Sequence, residues 1–299
     1  MVSENHSTND APAVLSEFKD ARLRIVKPAA HLSLNENFAF CFAQTTGEYI
    51  IFLNSDDLLH PDCCTHLAPF LNNHPKVAFA YAAVGLINAQ GRLKGYYARS
   101  FRPSFIHSGL QEFQRYIWGQ QNVFMAALIR RTAFEEVGGV SKDVGMIGDW
   151  YLSMRLLLVG DVAYCSEVLG YYRDWNNPRW SAQFVQFVRE VILLYERLES
   201  GYFVEIEKIE GGSNALFKAR KRYAISLAET VSNYDLSLDE MEEAVRAIRM
   251  LNNSVSVRIR LFLVQAGLGP VFSARRKGRE WLRQNIKKLL FPRPSGGPI

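Results

Sequence analysis

Residues 48–57 read EYIIFLNSDD. The apolar run Tyr49–Leu53, rich in β-branched and aromatic side chains, predicts a strand buried in a sheet. It stops on Asn54, Ser55 and two adjacent carboxylates, Asp56 and Asp57. Neighbouring carboxylates raise each other's pKa unless something positive sits between them. In open α/β sheets, ligands bind beyond the carboxyl ends of the strands. A hard divalent cation there, Mg²⁺ or Mn²⁺, would neutralise Asp56 and Asp57 and bridge to a diphosphate. The plainer reading of the same residues is that Ser55 or Asp56 caps the helix that follows.

Working outward, strand and helix signals alternate over residues 1–175. Strands are predicted at Arg22–Pro28, Glu48–Leu53, Val77–Asn88, Val123–Arg130 and Val162–Tyr172, and helices at Leu34–Gln44, Pro61–Asn72, Arg131–Val137 and Trp150–Val159. Pro61 suits a first helical turn, and Gly138-Gly139 and Gly160 suit helix ends. This alternation predicts an α/β domain with a mostly parallel sheet.

Residues 176–299 read as a helical extension. Phe184, Phe187, Val188, Val191, Leu194, Tyr195 and Leu198 follow a 3.6-residue spacing. Ser237-Leu-Asp-Glu240 is a capping box opening a helix to Asn252. Residues 258–291 read as one or two basic amphipathic helices, interrupted at Gly267–Pro270. The protein's formal net charge is +5, yet from Arg258 onward ten Lys or Arg face one acid, Glu280. The basic character is therefore a property of this tail. Such a tail can lie on anionic lipid or pack on the catalytic domain. No aromatic-interleaved nucleic-acid motif accompanies it, so no nucleic-acid partner is expected.

The 299-residue chain has four cysteines, Cys41, Cys63, Cys64 and Cys165, with no C-x-x-C spacing. That pattern excludes a disulfide framework and a zinc site and predicts a reducing, cytoplasmic setting. No secretory signal and no apolar run of spanning length are seen.

Five stretches, in order, resemble the family 2 glycosyltransferases, which have the GT-A fold, a Rossmann-like α/β sheet. They are VSENHSTND (2–10), HLSLNENFAFCFAQTTGEYIIFLNSDDLLHPD (31–62), ALIRRTAFEEVGGV (127–140), GDWYLSMRLLLVGDVAY (148–164) and VLGYYRDW (168–175). The resemblance implies an inverting transfer of a sugar from a nucleotide-sugar donor to a glycan or lipid-linked acceptor, in cell-surface polysaccharide biosynthesis. It implies that Asp56 and Asp57 hold the cation and the donor in a DxD-type motif, with Asn54 also on the donor side. Glu4 and Asn5 match positions that contact the nucleotide base. Asp149 matches the general base, which removes a proton from the acceptor hydroxyl, and Trp150 is placed to stack on the acceptor sugar. The lipid-linked acceptor and the basic tail together imply work at the inner face of the cytoplasmic membrane.

The sequence departs from the family pattern at Asn54, Asn9 and Gly148, each standing where an acid is usual, and in the Trp175-Asn176-Asn177 that follows Tyr172-Arg173. The family's domain also opens with a strand and helix ahead of the VSENHSTND segment, and the resemblance leads one to expect them missing here. Two other readings stay open: a non-catalytic binding module of the same fold, and an unrelated nucleotide-binding protein. Neither a G-x-x-x-x-G-K-[ST] nor a G-x-G-x-x-G loop supports the latter.

Overall fold

The computed structural model describes residues 1–97, 102–174, 179–201, 212–234 and 236–269. In chain order its strands are β1 (Val2–Ser3), β2 (Ile25–Val26), β3 (Tyr49–Ile50), β4 (Leu58–Leu59), β5 (Val77–Ile87), β6 (Leu93–Tyr96), β7 (Phe105–His107), β8 (Ala127–Arg130) and β9 (Asp161–Arg173). Its helices are α1 (Ala11–Glu17), α2 (Leu34–Ala43), α3 (Cys63–Asn73), α4 (Gly109–Tyr116), α5 (Arg131–Glu136), α6 (Gly148–Val159), α7 (Arg179–Gly201), α8 (Gly212–Thr230), α9 (Leu238–Leu251) and α10 (Val255–Leu263).

β5 organises the sheet. Its sequence, VAFAYAAVGLI, is buried at every position but Leu86, as a central strand covered on both faces requires. Phe79, Tyr81 and Ala83 join a core formed with α6, α7 and the later helices. Val77, Ala80, Ala82 and Val84 join a smaller core closed by Cys63, Leu67 and Leu71 of α3. The result is a helix–sheet–helix sandwich.

The main sheet has seven strands in the order β3-β8-β5-β9-β4, with β6 on β5 and β7 on β9. The expected mostly parallel sheet is mixed instead. β5 and β9 run parallel, while the β3–β8, β5–β8, β4–β9, β5–β6 and β7–β9 pairs are antiparallel. A short turn at Gly91 (φ 77°) folds β6 back onto β5, a connection only antiparallel neighbours allow. β1 and β2 form a separate two-stranded parallel sheet.

The predicted strand Glu48–Leu53 contracts to Tyr49–Ile50. β3 has β8 on one side and, among the described residues, no strand on the other. The chain leaves the sheet after Ile50. Phe52 then turns into an aromatic cluster with Phe38, Phe124 and Phe134, while Leu53 is exposed. Arg22–Pro28 likewise contracts to β2. The helices α2, α3, α5, α6, α7 and α9 occupy the predicted stretches. The Ser237–Glu240 capping box forms in both directions. Gly138 and Gly139 close α5 at positive φ. α1, α4 and α8 were not legible; α1 buries no residue, so it carries no apolar period to read.

The helical extension shares the core of the sheet. Phe184, Val188, Val191, Leu194, Tyr195 and Leu198 of α7 belong to the same buried cluster as Phe79, Tyr81 and Trp150. The Trp150 ring lies 5.5 Å from that of Tyr223 on α8. Of the basic tail, residues 270–299 lie outside the described residues, as do Trp175, Asn176 and Asn177.

Gly109, at the start of α4, sits where a Cβ would come within 2.0 Å of the Leu157 carbonyl oxygen and 2.2 Å of that of Gly160. Backbone cannot move aside as a side-chain tip can. Gly109→Ala is therefore expected to cost about 1–3 kcal/mol or more, read as a lowered midpoint in urea unfolding. An unchanged midpoint would mean that α4 and α6 do not approach this closely.

Candidate active site

The carboxylate pair lies just beyond β3, in the turn before β4. Asp57 is 5% exposed. Its Oδ1 accepts the backbone N–H of Arg173 at 2.9 Å, and its Oδ2 accepts from the Asn54 amide at 3.1 Å. Burial pushes its carboxyl pKa up; those two hydrogen bonds oppose the rise, and the charge of Asp56 adds to it. Arg173, at the end of β9, holds the turn through its main-chain oxygens. Its guanidinium donates to the carbonyls of Asp56 (2.7 Å), Asn88 and Ala89 (3.0 Å each). Asn54, standing where an acid is usual, thus serves as a hydrogen-bond donor to Asp57.

Asp149 occupies the first turn of α6. Its Oδ1 accepts the backbone N–H of Trp150 at 2.8 Å, and its Oδ2 accepts from the side-chain amide of Gln120. Part of the residue's surface stays exposed, yet the packing around its carboxyl desolvates the charged form and raises its pKa to about 6, against those two hydrogen bonds. A base poised there is ionised at neutral pH and still basic enough to take a proton.

Tyr172 links the two clusters. Its hydroxyl pKa is pushed up to about 12, first by burial and then by the negative charges of Asp57, Asp56, Asp174 and Asp149. Asp56, Asp57 and Asp149 therefore act on one phenol from within electrostatic reach, although 92 residues separate the last two in sequence.

The other sequence-predicted residues are placed differently. Glu4 is buried. Its carboxylate receives Lys27 at 2.5 Å and the Ser7 amide at 2.6 Å, which hold its pKa down at about 2. Asn5 binds the main chain of Leu32 in both directions, donating to its carbonyl at 2.8 Å and accepting its N–H at 2.9 Å. Both side chains brace the start of the chain against residues 27–32. Trp150 is 2% exposed, and its indole N–H donates to the Tyr116 carbonyl at 2.8 Å. The expected acceptor platform is a core residue, because α6 is buried on all sides from Trp150 to Leu157, while Asp149, one position earlier, is only half-buried.

Two supports had no signal in the sequence. Glu190 of α7, 7% exposed, accepts the N–H groups of Met146 and Ile147 at 2.7 and 3.2 Å, satisfying donors at the entrance to α6. Asn35 donates to the carbonyls of Ser141 and Val144. A Cβ at Gly148 would meet the Asn35 amide at 2.9 Å, so an acid at position 148, usual in the family, would need Asn35 to move.

Asp56 and Asp57 are the candidate cation ligands. Among the described residues no three His, Cys, Asp or Glu side chains converge to hold a metal. The pair still fits a hard cation. Each Asp57 oxygen keeps a lone pair beyond its one hydrogen bond, and Mg²⁺ is commonly held by one or two carboxylates with phosphate oxygens and water filling the remainder.

Comparison with known proteins bears on the fold and the family. The family model for "Glycosyl transferase family 2" matches residues 1–138. That stretch is similar to the family. Among solved structures, one titled crystal structure of S. aureus TarS 1-349 matches with a TM-score of 0.59 at 14% identity, covering 93% of this chain and 81% of that one. No curated protein matches the sequence. The glycosyltransferase match takes in Asp56 and Asp57 but ends before Asp149, whereas the structural likeness spans the sheet and the helical extension together. The architecture is the GT-A fold followed by a helical C-terminal region.

Proposed function

We propose that this glycosyltransferase moves a sugar, with inversion, from a nucleotide-sugar donor to a glycan or lipid-linked acceptor in cell-surface polysaccharide biosynthesis. One observation carries the reading: the fold brings Asp149, half-buried at the start of α6, within electrostatic reach of the same tyrosine, Tyr172, as half-buried Asp56 and buried Asp57. Asp149 would take the proton of the acceptor hydroxyl as its oxygen attacks the anomeric carbon, the bond to the diphosphate oxygen breaking on the opposite face. A single base acting in one displacement, with no covalent intermediate, suits inversion. Asp56 and Asp57 would hold Mg²⁺ or Mn²⁺, which when bound would neutralise charge developing on the departing diphosphate. Asn54 and Arg173 keep Asp57 facing that space.

The test is a panel of UDP-, GDP- and dTDP-sugars with Mn²⁺, assayed for thermal stabilisation and for slow release of free sugar. A cognate donor at a hundredfold excess over its Kd should stabilise the fold by about 2.7 kcal/mol. A panel with neither stabilisation nor sugar release would overturn the proposal.

A peripheral contact with anionic membrane, at the cytoplasmic face, belongs to the same proposal. None of the described helices is long and apolar enough to cross a bilayer. α10 is apolar on two sides. Val257 and Leu261 are buried, while Val255, Ile259 and Phe262 are 60%, 52% and 67% exposed, a stripe at i, i+4 and i+7 beside exposed Arg258. An apolar stripe flanked by cationic charge, leading into the basic residues 270–291, has the composition of an interfacial helix. The full chain is expected to sediment with phosphatidylglycerol vesicles at low salt and to release as salt screens the attraction. Ile259→Glu with Phe262→Glu should abolish this binding; unchanged sedimentation of the double variant would remove α10 from the contact.

A further inference from the structure

The end of α4 and the loop from there to the 3₁₀ turn Phe124–Ala126 are tied to α6, the helix that carries Asp149, and to α7. The Tyr116 carbonyl accepts the Trp150 indole N–H at 2.8 Å. The Ile117 carbonyl accepts the Tyr195 hydroxyl of α7 at 2.7 Å. Asn122 Oδ1 accepts both Ser153 Oγ, at 3.0 Å, and the Tyr116 hydroxyl, at 2.9 Å. Ser153 Oγ also lies 2.8 Å from the Asp149 carbonyl, so its one proton is shared between the two oxygens. Within the loop, Gln121 donates to the Gly119 carbonyl at 2.6 Å, and Gly119 has a φ of 133°, which a residue with a Cβ would rarely adopt. Gln120 is thus held on both sides, and its side-chain amide N–H meets Asp149 Oδ2.

With the Trp150 N–H on Oδ1, the carboxylate has one donor on each oxygen. Two donors on opposite oxygens fix the plane of the group, and a single further lone pair on each remains for a substrate proton. We propose that Gln120 is a positioning residue for Asp149, holding its carboxylate in one orientation and in the ionised form needed to accept a proton. The inference rests on the reading of Asp149 as the general base. Gln120 is suited to the task because it is neutral. A cationic donor would stabilise the carboxylate so far that it became a poor base; a side chain without a donor would leave burial unopposed. Among the described residues, Tyr172 of β9 lies within electrostatic reach of Asp149. The raised pKa of Asp149 comes from burial, offset by hydrogen bonds from Gln120 and Trp150, with no contribution from a charged neighbour among the described residues.

The experiment follows the carboxyl carbon of Asp149 by ¹³C NMR in the full chain labelled at aspartate, the signal being the one absent from Asp149→Asn, over pH 4–8. Gln120→Leu should raise the midpoint by roughly one pH unit, and Gln120→Lys should lower it below wild type. Opposite shifts from two substitutions at one position report the donor itself, since a merely structural role would move both the same way. If Gln120→Leu does not fold, Gln120→Glu, which should raise the midpoint by like-charge repulsion, takes its place against Gln120→Lys. A midpoint that stays within about 0.2 units in every folded variant, or that shifts the same way in all of them, overturns the proposal. Hydrolysis of the donor found by the panel above provides the second readout. Gln120→Leu should lower kcat more than it raises KM and should shift the acid limb of the profile with the NMR midpoint. If Asp149→Asn hydrolyses the donor like wild type, the general-base reading fails, and the NMR series shows separately whether Gln120 sets the ionisation of Asp149.

Discussion

Asp149→Asn is expected to lower turnover by roughly 10²-fold or more, the scale of a lost general base, with little change in the affinity for nucleoside diphosphate. The pH dependence makes the prediction sharper. Because the folded pKa of Asp149 is raised to about 6, kcat/KM of the wild type should fall as pH drops through about 6, and the residual activity of the variant should lose that limb. Stability should move the other way. A carboxyl whose folded pKa lies above its ordinary 3.8 binds protons more tightly folded than unfolded. Its ionisation therefore weakens the fold progressively as pH rises from about 4 to about 6, and fully above that. Asp149→Asn should be the more stable protein at pH 7.5, on the order of 1 kcal/mol once the partial exposure of the group is discounted, and should match wild type near pH 4. A variant that is both active and no more stable would make Asp149 a simple helix-terminal acid.

Asp57→Asn should abolish the dependence of nucleotide binding on divalent cation. Calorimetric titration of wild type with UDP, or with whichever diphosphate the panel selects, is expected to show tighter binding in Mn²⁺ than in EDTA. The gain should be on the order of tenfold, about 1.4 kcal/mol. The variant keeps the size of the side chain and an oxygen to accept the Arg173 N–H, so the turn before β4 should persist, and circular dichroism should confirm it. Equal affinity with and without metal in the wild type would remove the cation from the proposed chemistry while leaving Asp149 untouched. Retention of the metal effect in the variant would move the cation to ligands other than Asp57.

The α/β class, the helical extension and most helix positions were legible in the sequence, because burial along one element leaves a local trace. The continuous apolar run of β5, the 3.6-residue spacing of α7 and the Ser237–Glu240 capping box each report physics that acts within a few residues. The turn that carries Asp56 and Asp57 was legible for the same reason: an apolar run ending in two adjacent carboxylates poses a charge problem that can be seen without coordinates. What the chain alone did not reveal is decided by contacts between distant segments. Adjacent positions 149 and 150 look equally available on paper, and only packing against Tyr116, Tyr195 and Tyr223 sends Trp150 into the core and leaves Asp149 half-buried beside Gln120. Glu4 and Asn5 look like free ligands until Lys27 and the Leu32 main chain are brought beside them. The direction of the strands depended on which elements came to lie side by side. Gln120 and Glu190, which brace Asp149 and the entrance to its helix, stand 29 positions before the acid and 41 after it. Hydrogen bonds of that span leave no periodicity in sequence, so the tertiary structure alone places them.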